Sequence, residues 1–178
     1  LKEATRFLIA STSEMMAYGM PYATVGEFLL GNPDYGSLCE GFHDFYSTYE
    51  MMPCGTLAVT DCSELDNMAA IMKSINDRYV FDDSLQGELQ GLDGYTPVIF
   101  YDFADYVLTL CSDPVLTARF REQLERLVPY KTHTGKFYSR TKGPLPIHTF
   151  SGITISDPST NPMALLKGTT SWYKATHE

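Results

Sequence analysis

The residues with the chemistry for nucleophilic catalysis are four cysteines and four histidines. Thiol catalysis requires a cysteine within reach of a base, and a third group that orients the base. The sequence contains no C-x-x-C pair and no H-E-x-x-H, G-x-S-x-G, phosphate-binding or dinucleotide-binding motif. The cysteines are Cys39, Cys54, Cys62 and Cys111, and the histidines are His43, His133, His148 and His177. Because free cysteines behave as small apolar side chains, the pattern predicts buried thiols rather than a complete catalytic centre.

The charge balance is acidic, with 13 Lys and Arg against 22 Asp and Glu and a formal net charge of −9. Binding to a phosphate backbone requires clustered basic side chains, so nucleic acid is not an expected partner. One basic cluster falls in a polar segment and is too small for such an interface; it consists of Lys131, Lys136, Arg140 and Lys142. No run of about 18 apolar residues is present, so we expect no membrane span.

Two β segments and two helices are predicted in the first part of the chain. Phe7–Ala10 is an apolar run without polar alternation, which is typical of a strand buried on both faces of a sheet. Asp34 can cap a helix that extends to about Met52. A second strand is predicted at Thr56–Asp61, followed by a helix over 63–79 that opens with a capping box. The chain begins without an initiator Met, so we expect it to be cut from a longer precursor.

The second part of the chain is predicted to mix helices and strands. Residues 82–96 form a polar loop, and Pro97 opens an aromatic-rich helix that includes Phe100 and Phe103. Asp113 and Pro114 begin another helix, which ends before Pro129. Two β segments follow at 128–138 and 147–155, joined by a polar loop over 139–146, and the last predicted element is an amphipathic piece at 164–174.

Five short motifs occur in a fixed order along the chain. They are T-R-F-L-I-A-S-T-S-E at 5–14 with G-M-P-Y at 19–22, T-L-A-V-T-D-C-S at 56–63, Y-D-F-A at 101–104, S-G-I-T-I at 151–155 and W-Y at 172–173. Each motif is weak alone, but their order and spacing resemble the clostripain family of cysteine peptidases, peptidase family C11. The resemblance covers nearly the whole chain.

The resemblance implies an α/β fold, a caspase-like αβα sandwich with a mainly parallel central sheet. The chain would be the C-terminal half of that fold plus further C-terminal α+β elements, in a single unit over 1–178. Residues 1–80 would complete the caspase-like core, and 81–178 would form a helical and β extension. The family's catalytic Cys and His would lie upstream of residue 1, on an N-terminal segment or chain that is the expected partner. No residue of this chain is therefore assigned a catalytic role.

The resemblance also implies that this chain forms a wall of the cleft for a peptide or protein substrate. Ligands in a parallel sheet meet the loops at the carboxyl ends of the strands, and Phe7–Ala10 is expected in the sheet interior beside the strand with the nucleophile. The substrate-binding residues predicted after it are Ser11, Thr12, Ser13, Glu14, Tyr18, Gly19 and Met20. The family cleaves after Arg or Lys with the help of acidic groups, and Glu14 is the nearest carboxylate here.

Two other interpretations remain open from the sequence. The chain could be a peptide-binding or interaction module that kept the fold without catalysis, or an unrelated α+β domain. By resemblance the protein is bacterial and secreted or attached to the cell surface. No cofactor or metal site is predicted; the resemblance allows calcium, but Asp82-Asp83 and Asp102 with Asp105 lack the alternating acidic spacing of a calcium loop.

Overall fold

The computed structural model describes residues 2–178. The strands are β1 (Phe7–Ala10), β2 (Thr56–Asp61), β3 (Tyr101–Asp102), β4 (Tyr130–His133), β5 (Lys136–Ser139), β6 (Gly143–Pro146) and β7 (Thr154–Ile155). The α-helices are α1 (Tyr22–Val25), α2 (Tyr35–Ser47), α3 (Leu65–Asn76), α4 (Phe103–Leu110), α5 (Pro114–Leu127) and α6 (Ser171–His177). Shorter 3-10 helices cover Gly26–Leu29, Cys62–Glu64, Asp83–Glu88 and Pro162–Thr169. Within this part of the chain, no helix combines the length and the apolar character needed to cross a bilayer.

The main sheet has three strands in the order β1-β2-β4, and both pairings are antiparallel. Phe7 pairs with Asp61 and Ala10 with Ala58, while Thr56 on the other edge of β2 pairs with His133. The predicted mainly parallel sheet is therefore wrong for the described residues. An apolar run without polar alternation reports burial on both faces, and helices on both faces bury an antiparallel central strand equally well.

Helices cover both faces of this sheet, in agreement with a sandwich of helix, sheet and helix layers. Leu57 and Val59 of β2 point toward α2 and pack with Leu38 and Phe42, all within 1% of complete burial. Ala58, between them, joins the opposite cluster formed mainly by α3, α4 and α5. Successive side chains of a strand point to opposite faces, so β2 contributes to both cores, at about 1.5–3 kcal/mol for each large apolar side chain.

Strand β1 is the first strand of this three-stranded sheet, and its predicted interior position, beside a strand of upstream polypeptide, stays a prediction. Within the described residues it pairs with β2 alone, and Ala10 at its end is exposed. Phe7 and Ile9 pack on the α2 side, while Leu8 lines an open cavity on the other side. Among residues 2–178, no strand pairs with the other edge of β1. An interior position would therefore require a neighbouring strand from polypeptide outside this range.

Helix starts agree with the sequence where a capping carboxylate is present. Asp34 accepts the Ser37 amide at 3.0 Å at the start of α2, and Asp113 accepts the Val115 amide at 2.8 Å before Pro114 opens α5. The predicted capping box is wrong, because Asp61, and not Ser63, caps the turn before α3 by accepting the Ser63 amide at 3.0 Å.

The largest differences from the predicted elements lie between Pro97 and Ile155. Residues 97–100 precede the helix instead of opening it, because Asp102 accepts the Asp105 amide at 3.1 Å and starts α4 at Phe103. The predicted polar loop at 139–146 is part of the β5–β6 hairpin, turned at Gly143 with φ of 75°. Only Thr154–Ile155 of the second predicted β segment is a strand, paired with β3. The predicted amphipathic piece at 164–174 divides into a 3-10 helix and α6.

Candidate substrate-binding cleft

The turn that leaves β1 is held by a cluster of hydroxyl groups on the first residue of β2. The Oγ1 of Thr56, a residue that is 1% exposed, lies 2.7 Å from Ser11 Oγ, 3.0 Å from Ser13 Oγ and 3.3 Å from Thr12 Oγ1. Ser11 Oγ also donates to the Ser13 carbonyl at 2.9 Å. The antiparallel register of β1 and β2 brings Thr56 next to this turn. No feature of the sequence marks Thr56, so the sequence analysis did not predict its role. These contacts fix the three predicted residues in one conformation.

Glu14 continues this wall and contacts the β5–β6 hairpin. It forms a bridge with Tyr138, and its Oε2 accepts the Arg140 amide. The side chain remains exposed. One oxygen of the carboxylate predicted to attract a basic substrate group is therefore engaged by the backbone of this protein.

Tyr18, Gly19 and Met20 lie against α2 and do not line the same cleft as Ser11 to Glu14. The ring of Tyr18 packs 4.9 Å from that of Phe45, and the Gly19 carbonyl accepts the Tyr46 hydroxyl at 2.6 Å. Gly19 has φ of +76°, a backbone conformation that glycine adopts without steric cost. The structure thus divides the seven predicted residues into a cleft-lining group and a group docked on the helix.

A cleft of about 430 Å³ opens between the Ser11–Glu14 turn and a second wall from the loop before β3. The second wall consists of Leu92, Asp93, Tyr95 and Phe100, and Thr154 also lines the cleft. Tyr95 and Phe100 are 40% and 44% exposed, so both rings are accessible. A neighbouring cavity of about 220 Å³ continues along β1 past Ala10 and Thr12.

Asp93 organises the second wall. It is 8% exposed; its Oδ1 accepts the Tyr95 amide at 2.8 Å, and its Oδ2 accepts the amides of Ile99 and Phe100 at 2.8 and 2.6 Å. Hydrogen bonds from backbone N–H groups to a carboxylate are among the stronger ones in proteins. Sequence reasoning missed this residue, because Asp93-Gly94 indicates only a turn.

Asp102, by contrast, is a structural residue. It is fully buried, accepts the amides of Ser151 at 2.5 Å and of Asp105 at 3.1 Å, and has its pKa raised by burial. Asp105 accepts the Gln90 amide at 2.6 Å, and Asp82 accepts the amide and hydroxyl of Ser84. These carboxylates accept hydrogen bonds from backbone turns and helix starts. Across residues 2–178, no group of three or more His, Cys, Asp and Glu side chains could hold a metal.

All four cysteines are buried and free. The nearest approach to a catalytic set is on α2, where Cys39, His43 and Asp44 line one shallow depression. Burial, aided by the nearby Glu40, raises the pKa of the Cys39 thiol to about 11, and burial raises that of Cys54 as well. A thiol with a raised pKa is a poor nucleophile because the thiolate is the reactive form.

Comparison with solved structures identifies the class of the protein. No protein-family model matches this chain, and no curated protein matches it. A clostripain from Bacteroides thetaiotaomicron ATCC 29148, in complex with the peptide inhibitor BTN-VLTK-AOMK, is 62% identical over 99% of the chain, with a TM-score of 0.97. A secreted C11 cysteine protease of B. thetaiotaomicron, called iotapain, gives the same identity, coverage of the chain and TM-score. An inactive zymogen C11 protease from Parabacteroides distasonis is 28% identical with a TM-score of 0.82.

These relatives are cysteine proteases, and the chain belongs to the C11 clostripain family among them. The resemblance inferred from the five motifs is thereby confirmed. The chain spans 78% of the length of the first relative, half of the second and 53% of the third.

Proposed function

We propose that this chain is the substrate-binding portion of a cysteine endopeptidase that hydrolyses peptide bonds after Lys or Arg. The observation that carries the proposal is the 62% identity over 99% of the chain to a clostripain bound to a peptide inhibitor. The catalytic Cys and His belong to polypeptide upstream of Leu1. The buried, free cysteines of the described residues agree with that assignment, because a nucleophilic thiol must be accessible.

In this proposal the Ser11–Glu14 turn positions the backbone of the substrate. It follows β1, and an extended peptide can pair its main chain with the backbone of such a turn. The contacts to Thr56 hold the turn in place before substrate arrives, which lowers the entropy cost of binding.

Preference for a basic residue is supported by charge and by the relative. The chain has a net charge of −9, and Glu14 stays exposed beside the turn. The peptide letters of the inhibitor bound to the B. thetaiotaomicron clostripain are VLTK, and the last of them is the code for lysine. The position near Gly19 offers Tyr18 and no acid, so the principal carboxylate partner of the basic group belongs to the upstream polypeptide.

The test is hydrolysis of fluorogenic peptides by the full-length protein. We expect turnover of peptides that end in Lys or Arg, no turnover of the matched peptides that end in Glu, and loss of activity after treatment with iodoacetamide. Mass spectrometry should then find the modified cysteine upstream of Leu1. The variant Cys39→Ala is the matched control and should retain activity, because that thiol is buried with a raised pKa.

A non-catalytic peptide-binding module is the second candidate, because every cysteine in the described residues is buried. It would be supported by peptide binding without turnover, and by peptide binding to the full-length protein that iodoacetamide treatment leaves unchanged. Robust turnover that is abolished by labelling would exclude it. Secretion from a bacterial cell is part of the first proposal and is supported by the description of iotapain as secreted.

A further inference from the structure

The loop from Leu92 to Phe100 is a preformed wall rather than a flexible connection. Asp93 binds three amides of the loop, as described above. On its outer side the Gly94 carbonyl accepts the Thr141 hydroxyl at 3.1 Å. At its base the Val98 carbonyl accepts the Ser159 hydroxyl at 2.6 Å. The rings of Tyr95 and Phe100 are therefore presented to the cleft by a backbone that is fixed at several points.

The opposite wall is polar and equally fixed. The hydroxyls of Ser11, Thr12 and Ser13 are all within 3.3 Å of Thr56 Oγ1, and Glu14 is bound to the hairpin. Both oxygens of Asp93 are occupied by its own loop. The exposed apolar groups that line the cleft are the two aromatic rings, each about two-fifths exposed.

We propose that Tyr95 and Phe100 form an apolar subsite for one side chain of the substrate, N-terminal to the bond that is cleaved. The inference rests on the proposed function. The occupant is an extended peptide, because the cleft is continuous with the Ser11–Glu14 turn along which that peptide would run. Side chains alternate in direction along an extended peptide, so two adjacent positions cannot both enter the subsite, which takes one side chain. Asp93 is a positioning residue that holds both rings through the loop backbone.

The experiment uses full-length protein and a set of acetylated tetrapeptide coumarin amides that all end in lysine. Each of the three preceding positions is in turn leucine or serine, with glycine at the other two. Wild-type protein should prefer leucine over serine at one position. Phe100→Ala and Tyr95→Ala should each lower kcat/KM for the leucine peptide at that position by about tenfold, and leave the serine peptide unchanged. Phe100→Leu should restore most of the preference, since it restores apolar contact.

The matched control is Val115→Ala, which removes an apolar side chain that is 65% exposed on α5 and lines no part of the cleft. It should leave every peptide unchanged. Equal losses for all peptides in Phe100→Ala and Tyr95→Ala would overturn the subsite, and would indicate that another segment of the protein covers the rings. An unaltered preference in both variants, with unchanged melting temperatures, would overturn it too.

A binding measurement separates this inference from the proposed function. The same tetrapeptides as simple amides are titrated into wild-type protein and Phe100→Ala by calorimetry. Binding that depends on leucine at one position and on Phe100, in a protein that turns over no peptide, would support the subsite and contradict the endopeptidase. Turnover without any leucine preference would support the endopeptidase and contradict the subsite.

Discussion

Asp93 and Asp157 are two buried carboxylates on either side of Phe100, and they differ in whether their oxygen atoms have hydrogen-bond partners. Asp93 lines the substrate cleft and has both oxygens satisfied by three backbone amides. Asp157 lines a separate apolar cavity of about 310 Å³, and its Oδ2 is buried without a hydrogen-bond partner. Phe100 lines both spaces. A buried acidic side chain therefore stabilises a loop where its oxygens accept hydrogen bonds, and it destabilises the fold where one oxygen has no partner.

The removal of Asp93 is expected to have the largest effect. Asp93→Ala leaves three amides of the 92–100 loop without their acceptor, at least one of them buried, and should reduce the free energy of unfolding by about 3 kcal/mol or more. Urea denaturation measures the change. Asp93→Asn keeps one acceptor oxygen and should lose less. Equal stability of wild type and Asp93→Ala would mean that the carboxylate does not hold the loop.

The second prediction tests how closely the same wall packs. A Cβ at Gly94 would meet Ser139 Oγ at 1.7 Å and Ser139 Cβ at 2.7 Å. The hydroxyl could rotate away, but the Cβ cannot move without its backbone, so Gly94→Ala should cost about 1–3 kcal/mol. Thermal or urea unfolding gives the value.

The control for this prediction lies outside the cleft, in the segment that packs against α2. Gly19 has no atom within 4 Å of its Cβ position, so Gly19→Ala should cost only the strain of its positive φ, about 1 kcal/mol. A larger loss in Gly19→Ala than in Gly94→Ala would contradict the close packing of the loop on β5.

The two walls also differ in how far the sequence predicted them. The Ser11–Glu14 wall follows an apolar strand and a motif, so both its position and its relation to β1 could be inferred. The Asp93 wall depends on hydrogen bonds within a loop and on contacts to Ser139, Thr141 and Ser159, which are distant in sequence. A turn signal such as Asp93-Gly94 indicates a change of direction but not the distant partners that fix it.

Within residues 2–178, strand direction was the main difference from the predicted fold. Burial patterns identified β1 and β2, and capping residues identified α2 and α5, because those signals are local. The pairing of β2 with β4 joins residues more than seventy positions apart, and the apolar runs alone contain no information on whether strands run parallel. The apolar runs also contain no information on how β1 and β2 pair. The sequence analysis therefore missed Thr56, the centre of the hydroxyl cluster.

The third prediction compares Thr56, which holds the Ser11–Glu14 wall, with Asp93, which holds the opposite wall of the cleft. Thr56→Val removes the hydroxyl shared by Ser11, Thr12 and Ser13, each of which is only partly buried and can reach water. The expected loss in unfolding free energy is about 1 kcal/mol, well below that of Asp93→Ala. Thr60→Val is the matched control on the same strand, because none of the described hydrogen bonds involves its hydroxyl. A loss as large as that of Asp93→Ala would contradict the ranking of the two anchors.

The smallest effect is expected at Asp157, and it should depend on pH. Burial raises the pKa of Asp157, while His177 and Lys167 oppose that shift; the His177 Nε2 lies 3.9 Å from Asp157 Oδ2. The folded state therefore holds this proton more tightly than the unfolded chain, where an Asp has a pKa of about 3.9. The contribution to stability is complete below that pH and is lost as the pH rises through the higher pKa of the folded state.

Asp157→Asn should remove this dependence, because the amide carries no charge to desolvate. The difference in unfolding free energy between the variant and wild type should shift in favour of the variant as the pH rises from about 4 to 7. Urea denaturation at a series of pH values measures it, and Asp83→Asn, at an exposed position in the chain, is the control that should follow wild type. A difference that is constant with pH would mean that Asp157 is ionised as readily in the folded protein as in the unfolded chain, and its contrast with Asp93 would then disappear.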